Sequence, residues 1–240
     1  MRLALVLALA LAGCREKSVT PIRVAAASDL TDVFTELARR YEGETHQKVE
    51  LTFGSSGLLA RQLAQGAPFD VFAAASQGFV DDVVKAGACD GASATRYARG
   101  RLVLWPPGAT TTLEALAQGK QRVAMANPEH APYGRAAKEA LVKAGVWERV
   151  EPRVVYSENV RQALQFADTG NVEVAFVAWS NVVSRDAGAL TLVDASLHAP
   201  IEQVLVRCKH GKRAADAAAF TSFLERPESQ ALLMRSGFER

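Results

Sequence analysis

Short apolar segments alternate with amphipathic helical segments from Ile22 onward, and this alternation constrains the fold more than any other feature. Residues 22–28, IRVAAAS, are short and apolar, as in a strand that is buried on both faces of a sheet. Apolar residues then recur at positions 30, 33, 34, 37, 38 and 41, the spacing of a helix with one buried face, which we expect to end at Gly43. Strands alternating with helices predict parallel sheets flanked by helices, the α/β class.

The alternating segments fall into two sets, which predict two α/β lobes. Strands are predicted at 22–28, 48–54, 68–76, 101–108, 122–127, 153–157, 172–180 and 201–208. Helices are predicted to begin near residues 30, 58, 79, 134, 160, 214 and 229. We assign residues 1–20 to a leader and tether, 21–104 together with 203–240 to lobe 1, and 105–202 to lobe 2. Because we see no flexible linker between the two sets, we expect strands that cross between the lobes.

The first fourteen residues, MRLALVLALALAGC, have the pattern of an export signal. One basic residue precedes an apolar run at positions 3–11, which suits a signal peptide and is too short for the ~20 residues of a membrane span. The ending Leu-Ala-Gly-Cys resembles a bacterial lipobox, whose cysteine becomes the lipidated first residue of the mature protein. We therefore expect a lipid anchor at Cys14 and a folded part outside the cytoplasmic membrane. The alternative is an ordinary signal peptide with an incidental cysteine.

Two cysteines, Cys89 and Cys208, remain after the leader is set aside. An exported location permits a disulfide, but residues so far apart in sequence do not establish one. Neither cysteine lies in a metal-ligand spacing. We expect two separate, buried thiols.

Polar turns follow four of the predicted strands. Ser28-Asp29 and Gly54-Ser55-Ser56-Gly57 follow two strands of the first set, and segments 127–134 and 157–160 follow two strands of the second. The carboxyl ends of parallel strands meet at one edge of a sheet, where helix N-termini offer free N–H groups and partial positive charge. Any one turn is explained by helix capping. Four such turns, two in each lobe and all at the same end of their sheets, favour a functional role such as anion binding, in which the glycines beside the serines would let the main chain approach the anion.

Catalysis and cofactor binding find no support in the sequence. The GSSG segment does not match the GxSxG nucleophile motif, and of the four histidines His130 alone falls near a candidate turn, without a clear orienting carboxylate. We find no metal-ligand spacing and no glycine-rich phosphate motif. We expect no enzyme activity and no cofactor. A net charge of +2 without a basic run argues against a nucleic-acid partner.

Five segments resemble, in the same order, the ModA-type periplasmic molybdate-binding proteins of ABC transporters: VAAASDLTDVF (24–34), FGSSGLLARQLAQGAPFDVFAAAS (53–76), VAMANPEHAPYGRAAKEAL (123–141), SENVRQAL (157–164) and VAFVAWSNV (174–182). The resemblance covers nearly the whole chain after Ile22. It implies the two-lobed class II periplasmic binding protein fold, with parallel or mixed sheets flanked by helices and the ligand in the cleft between the lobes. It also implies a periplasmic receptor that delivers molybdate or tungstate to a membrane permease, and we expect a monomer.

Carried over by position, the resemblance implies four oxyanion-binding residues. Ser28 and Ser56 supply hydroxyl and main-chain N–H groups from lobe 1, and Tyr133 and Val160 face them from lobe 2, Val160 through its main-chain N–H. Some family members have a tyrosine where this chain has Ala178, and we expect the phenol of Tyr133 to replace that tyrosine.

Further residues are expected to support the site: Asp29, Ser55, Asn159 and Ala178. We expect Asp29 to turn its carboxylate away from the anion or to cap its own helix. Molybdenum enters only within the oxyanion, and no residue is expected to ligate a metal ion.

A site lined only by N–H and O–H donors suits an anion that is fully deprotonated at neutral pH, as molybdate is. Phosphate carries a proton at pH 7, and an unmatched buried polar group costs about 1–3 kcal/mol. Sulfate has the charge and shape of molybdate but is smaller, so only cavity size separates the two. The alternatives are therefore a receptor for another tetraoxyanion such as sulfate, and the cytoplasmic ligand-sensing domain of a transcription regulator, which the lipobox disfavours.

Overall fold

The computed structural model describes residues 20–107, 111–185 and 190–240. The expected lipidation at Cys14 lies outside these residues. Within the described ranges, no helix combines the length and the apolar character needed to cross a membrane.

Strands and helices alternate along the described chain. The strands are β1 (Ile22–Ala27), β2 (Val49–Gly54), β3 (Val71–Ala74), β4 (Thr95–Gly100), β5 (Leu102–Trp105), β6 (Val123–Ala126), β7 (Val154–Ser157), β8 (Val174–Ala178), β9 (Thr191–Leu192) and β10 (Ile201–Arg207). The α-helices are α1 (Thr31–Thr45), α2 (Ser56–Ala64), α3 (Gln77–Lys85), α4 (Leu113–Gln118), α5 (Pro132–Lys143), α6 (Trp147–Val150), α7 (Val160–Asp168), α8 (Ala214–Leu224) and α9 (Pro227–Arg235).

The strands form two five-stranded sheets with the same internal plan. The first sheet has the order β2-β1-β3-β10-β4 and the second the order β7-β6-β8-β5-β9. In each sheet three strands run parallel, a fourth pairs antiparallel with one of them, and the fifth pairs antiparallel with the fourth. These two mixed sheets, flanked by helices, confirm the predicted two-lobed fold class. We call the halves built on them the first and the second lobe.

The chain passes between the two sheets twice. It leaves the first sheet after Gly100, enters the second at Leu102, and returns to the first at Ile201. These crossings place β4 and β10 in the first lobe and β5 and β9 in the second. Our assignment of the lobe boundaries near residues 104 and 202 stays a prediction. The strand order shows which sheet each strand belongs to, and it does not by itself define where a domain ends.

Burial explains why the parallel strands form where the apolar segments predict them. All residues of β3, β6 and β8 are buried, whereas β2, at an edge of its sheet, alternates between more and less exposed residues. Helix α1 buries the apolar face that its spacing predicts. Its predicted end is wrong: α1 continues through Gly43 to Thr45, and His46, with φ of 57°, ends it in the left-handed conformation.

The expectation of two separate thiols is also wrong, because Cys89 and Cys208 form a disulfide. The antiparallel pairing of β10 with β3 brings the end of β10 beside the segment that follows α3, where the two cysteines form an isolated bridge. Sheet topology, which sequence separation does not reveal, thus brings together residues 119 positions apart.

Candidate functional site

A small cavity lies between the two lobes, at the strand-to-helix turns that the sequence indicates. It has about 200 Å³ of empty space, open solvent included. Pockets for drug-sized ligands measure roughly 300–1,000 Å³, so this cavity is on the scale of a small ion.

The cavity brings together seven of the eight residues expected at the site: Ser28, Asp29, Ser55, Ser56, Tyr133, Asn159 and Val160. Ala178 is not among the lining residues and lies buried at the end of β8. The remaining lining residues are small or apolar and come from the same strand ends and turns: Ala27, Gly54, Ala75, Ala131 and Pro132. The sequence indicates these residues as part of the site only through their positions next to predicted turns.

A larger groove beside α7 is a weaker candidate for the site. It has about 1100 Å³ of empty space, which includes open solvent. Its charged side chains are already paired, Arg161 with Asp32 at 2.9 Å and Arg185 with Asp168 at 2.7 Å. The small cavity is the better site because helix N-termini of both lobes meet there.

Three helices begin at the cavity, and their first N–H groups have no partner within the helix. Ser56 is the first residue of α2, Tyr133 the second residue of α5, and Val160 the first residue of α7. Among the described residues, no backbone or side-chain acceptor is paired with the N–H groups of Ser56 and Val160. These groups are therefore available to a ligand from both lobes.

The polar side chains at two of these turns are held by neighbouring groups. The hydroxyl oxygen of Ser56 accepts the N–H of Ala75 at 3.0 Å, which leaves the hydroxyl proton of Ser56 free to donate. Asn159 caps α7, because its Oδ1 accepts the N–H of Gln162 at 3.0 Å. Ser55 lies 2.9 Å through Oγ from Nδ1 of His130 in the second lobe, so its side chain links the lobes.

The phenol of Tyr133 has a different partner from the predicted oxyanion. It is buried and donates to Oδ2 of Asp29 at 3.1 Å. The lack of a side chain at Gly100 makes room for this arrangement, since a Cβ there would overlap the phenol oxygen. What Tyr133 offers the cavity is thus its main-chain N–H, near the N-terminus of α5.

Asp29 does not cap its helix, because its carboxyl group is held by a tyrosine and a glutamine instead. The residue is 1% exposed, and its Oδ2 accepts hydrogen bonds from Tyr133 and, at 2.6 Å, from Nε2 of Gln203. Burial raises the pKa of the Asp29 carboxyl to about 6, against the opposing effect of these two hydrogen bonds. Its other oxygen, Oδ1, is buried without a hydrogen-bond partner among the described residues.

No lysine, arginine or histidine is among the residues that line the cavity in the described part of the chain. An anion there would be held by N–H and O–H dipoles and by the positive ends of helices. Such a site balances the ligand charge without the desolvation cost of a buried ion pair.

Contacts on either side of the cavity hold the lobes together. The N–H of Gly57 in the first lobe donates to the carbonyl of His130 in the second at 2.9 Å. On the other side, the hydroxyl of Ser180 donates to the carbonyl of Asp29 at 2.8 Å. The glycine after Ser56 therefore lies against the opposite lobe, and it is not among the residues that line the cavity. The structure shows the closed arrangement of the two lobes.

Comparison with known proteins places the chain in a family. The family of bacterial extracellular solute-binding proteins matches residues 22–239. The molybdate-binding protein ModA of Rhodobacter capsulatus is 36% identical over 98% of this chain and 93% of the relative, and that of Azotobacter vinelandii is 33% identical over 99% and 96%.

A solved structure agrees with the sequence relatives. The periplasmic molybdate-binding protein of Azotobacter vinelandii superposes with a TM-score of 0.86 at 28% identity, covering 91% of this chain and 99% of that one. The chain therefore belongs to the bacterial extracellular solute-binding proteins, a family of receptors rather than enzymes, and within it to the ModA group.

Proposed function

We propose that this protein is the extracytoplasmic substrate-binding component of a molybdate ABC transporter. It binds the molybdate or tungstate dianion in the interlobe cavity and delivers it to the membrane permease. One observation carries the proposal. Helices from both lobes begin at one small cavity, their first N–H groups have no hydrogen-bond partner among the described residues, and no cationic side chain lines the cavity there. Relatives that match the chain over nearly their full length are named for molybdate binding.

The roles of the lining residues follow from their positions. Ser56 donates through its N–H and its hydroxyl, and Ser28 lies beside it at the turn before α1. Tyr133 and Val160 donate main-chain N–H groups from the second lobe. Because donors come from both lobes, the ligand contacts both only when they are closed, so binding favours the closed state.

Sulfate is the less favoured ligand. The sulfate-binding protein SubI of Mycobacterium tuberculosis shares the fold with a TM-score of 0.75, but at 17% identity. Relatives of 31–36% identity that cover nearly the whole chain are named for molybdate.

Isothermal titration calorimetry of the purified protein with molybdate, tungstate, sulfate and phosphate tests the proposal. We expect one site for molybdate or tungstate. Phosphate should bind more weakly by about 1–3 kcal/mol, the cost of its unmatched proton in the site, and sulfate should bind more weakly because it is smaller. Tight sulfate or phosphate binding without molybdate binding would refute it.

We propose further that Cys14 carries a lipid that holds the receptor at a membrane. The support is the Leu-Ala-Gly-Cys segment at the end of the apolar run. Globomycin should block processing of the protein, and a labelled fatty acid should attach to the unaltered protein but not to Cys14→Ala. An unaltered protein that takes up no label would contradict the anchor.

A further inference from the structure

Asp29, whose carboxyl group is buried, is among the residues that line the cavity, and the polar groups around it are mainly donors. Asp29 follows directly after Ser28, and its carboxylate receives both of its hydrogen bonds on Oδ2, from Tyr133 of the second lobe and from Gln203 of the first. The other oxygen, Oδ1, has no partner among the described residues. This group departs from the wholly donating lining that a deprotonated tetraoxyanion prefers.

An ionised Asp29 would oppose the binding of a dianion. No cationic side chain lines the cavity, so three negative charges would share a space on the scale of one small group. Like charges at such close range disfavour the ionised form of the group that can take up a proton. An unpaired buried acceptor facing an all-acceptor ligand would also lack any hydrogen-bond partner.

The groups around Asp29 offer it no counter-charge. Tyr133 of α5 and Tyr97 of β4 are neutral phenols whose pKa values are raised well above their usual range by burial and by Asp29 itself. Of the charged groups on the flanking helices α1 and α7, Asp32 and Arg161 pair with each other at 2.9 Å. Gln203 of β10, like Ser180, is uncharged. Relief of the repulsion must therefore come from a proton.

We propose that Asp29 takes up one proton from solvent when the oxyanion binds, so that the carboxyl group is neutral and its Oδ1 becomes a donor in the complex. This inference rests on the proposed function and adds that the receptor binds a dianion together with a proton. Protonation of Oδ1 leaves Oδ2 as the acceptor for Tyr133 and Gln203, and it makes the lining wholly donating.

The unliganded protein is poised for this uptake. Burial raises the pKa of Asp29 to about 6, so the free carboxyl is mostly ionised at pH 7 and above but accepts a proton at little cost. A further rise of the pKa in the complex makes the dissociation constant increase with pH, by about tenfold per unit, from pH 6 up to the pKa of the complex. Below about pH 6, Asp29 is already protonated and its contribution is constant.

Calorimetric titration with sodium molybdate at pH 7.5, in buffers of different ionisation enthalpy, measures the proton count directly. We expect uptake of close to one proton per molybdate, and a dissociation constant that rises about tenfold between pH 7 and pH 8. Asp29→Asn should reduce both effects to near zero. The matched control is Asp32→Asn, an exposed carboxylate three residues away, which should keep the proton uptake.

The outcomes separate this inference from the proposed function. Molybdate binding without proton uptake and with a pH-independent dissociation constant overturns the role of Asp29 and leaves the proposed function intact. Hydrogen phosphate that binds without proton exchange and more tightly than molybdate overturns both, because Asp29 would then accept from the ligand. If Asp29→Asn fails to fold, the number of protons taken up by the unaltered protein on molybdate binding still tests the inference.

Discussion

Substitution of Gly57 tests closure of the lobes directly, because this residue contacts the opposite lobe through its main chain. Its N–H donates to the carbonyl of His130 across the interlobe boundary at 2.9 Å. A Cβ at Gly57 would lie 2.8 Å from that carbonyl oxygen and 2.9 Å from the Cα of His130. From its own lobe, the ring tip of Phe79 lies 2.8 Å from this Cβ position, and that side chain can move aside. We therefore expect Gly57→Ala to obstruct the closed state and to spare the fold of each lobe.

The size of the effect follows from these distances. The Cβ needs about 3.4 Å, so the lobes must separate by about 0.6 Å at this point, and the hydrogen bond of Gly57 stretches to its limit. Loss of that bond costs about 0.5–1.5 kcal/mol, and the second-lobe donors to a charged ligand, worth about 1.5–3 kcal/mol each, are weakened by the same displacement. Together we expect about 2–3 kcal/mol, or roughly 30- to 150-fold weaker molybdate binding.

Calorimetry with molybdate measures this loss, and thermal unfolding of the unliganded protein checks the fold. Gly43→Ala is the matched control, because it makes the same chemical change inside α1, where a Cβ meets nothing within 4 Å. The control should bind molybdate normally and gain up to about 1 kcal/mol of stability from helix propensity. Unchanged affinity of Gly57→Ala would refute the closure contact, and so would a loss of unliganded stability as large as the loss of affinity.

Three further predictions follow from the described contacts. Tyr133→Phe removes an interlobe hydrogen bond to Oδ2 of the buried Asp29 and should weaken molybdate binding by about 1–3 kcal/mol in calorimetry; unchanged affinity would show that the phenol does not support closure. Reduction of the Cys89–Cys208 disulfide opens a loop of more than 100 residues and should cost about 2–5 kcal/mol, seen as a lower melting temperature with a phosphine reductant; equal melting temperatures would contradict this. The pKa of Asp29 is raised from 3.8 to about 6, so the fold favours its protonated form, and this contribution is complete below about pH 4 and lost as the pH rises through 6. Relative to Asp29→Asn, the unliganded protein should lose up to about 3 kcal/mol of stability to urea between pH 4 and pH 7, and parallel pH profiles would be the contrary result.

The spacing of apolar residues predicts those helices and strands whose buried face can be recognised within their own sequence. The apolar spacing of α1 and the wholly apolar strands β3 and β8 predict both their type and their place. Strand β4, TRYARG, escapes prediction because it lies at the edge of the first sheet and carries charged residues on its exposed positions. The short helix α4 is missed as well, since six residues give too little periodicity to detect.

The candidate site likewise has a part that the sequence predicts and a part that it does not. The turns at Ser28, Ser56 and Val160 can be predicted because a strand followed by a helix N-terminus suffices to create an anion-binding position. The partner of the Tyr133 phenol and the burial of Asp29 cannot, because both depend on how the second lobe meets the first.

Anomalous diffraction at the molybdenum absorption edge, from crystals grown with molybdate, locates the bound oxyanion in the protein. We predict one molybdenum peak in the interlobe cavity, with oxyanion oxygens about 2.7–3.2 Å from the main-chain nitrogens of Ser56 and Val160. A peak in the groove beside α7, or an empty cavity at saturating molybdate, would contradict an oxyanion site built from helix N-termini of both lobes.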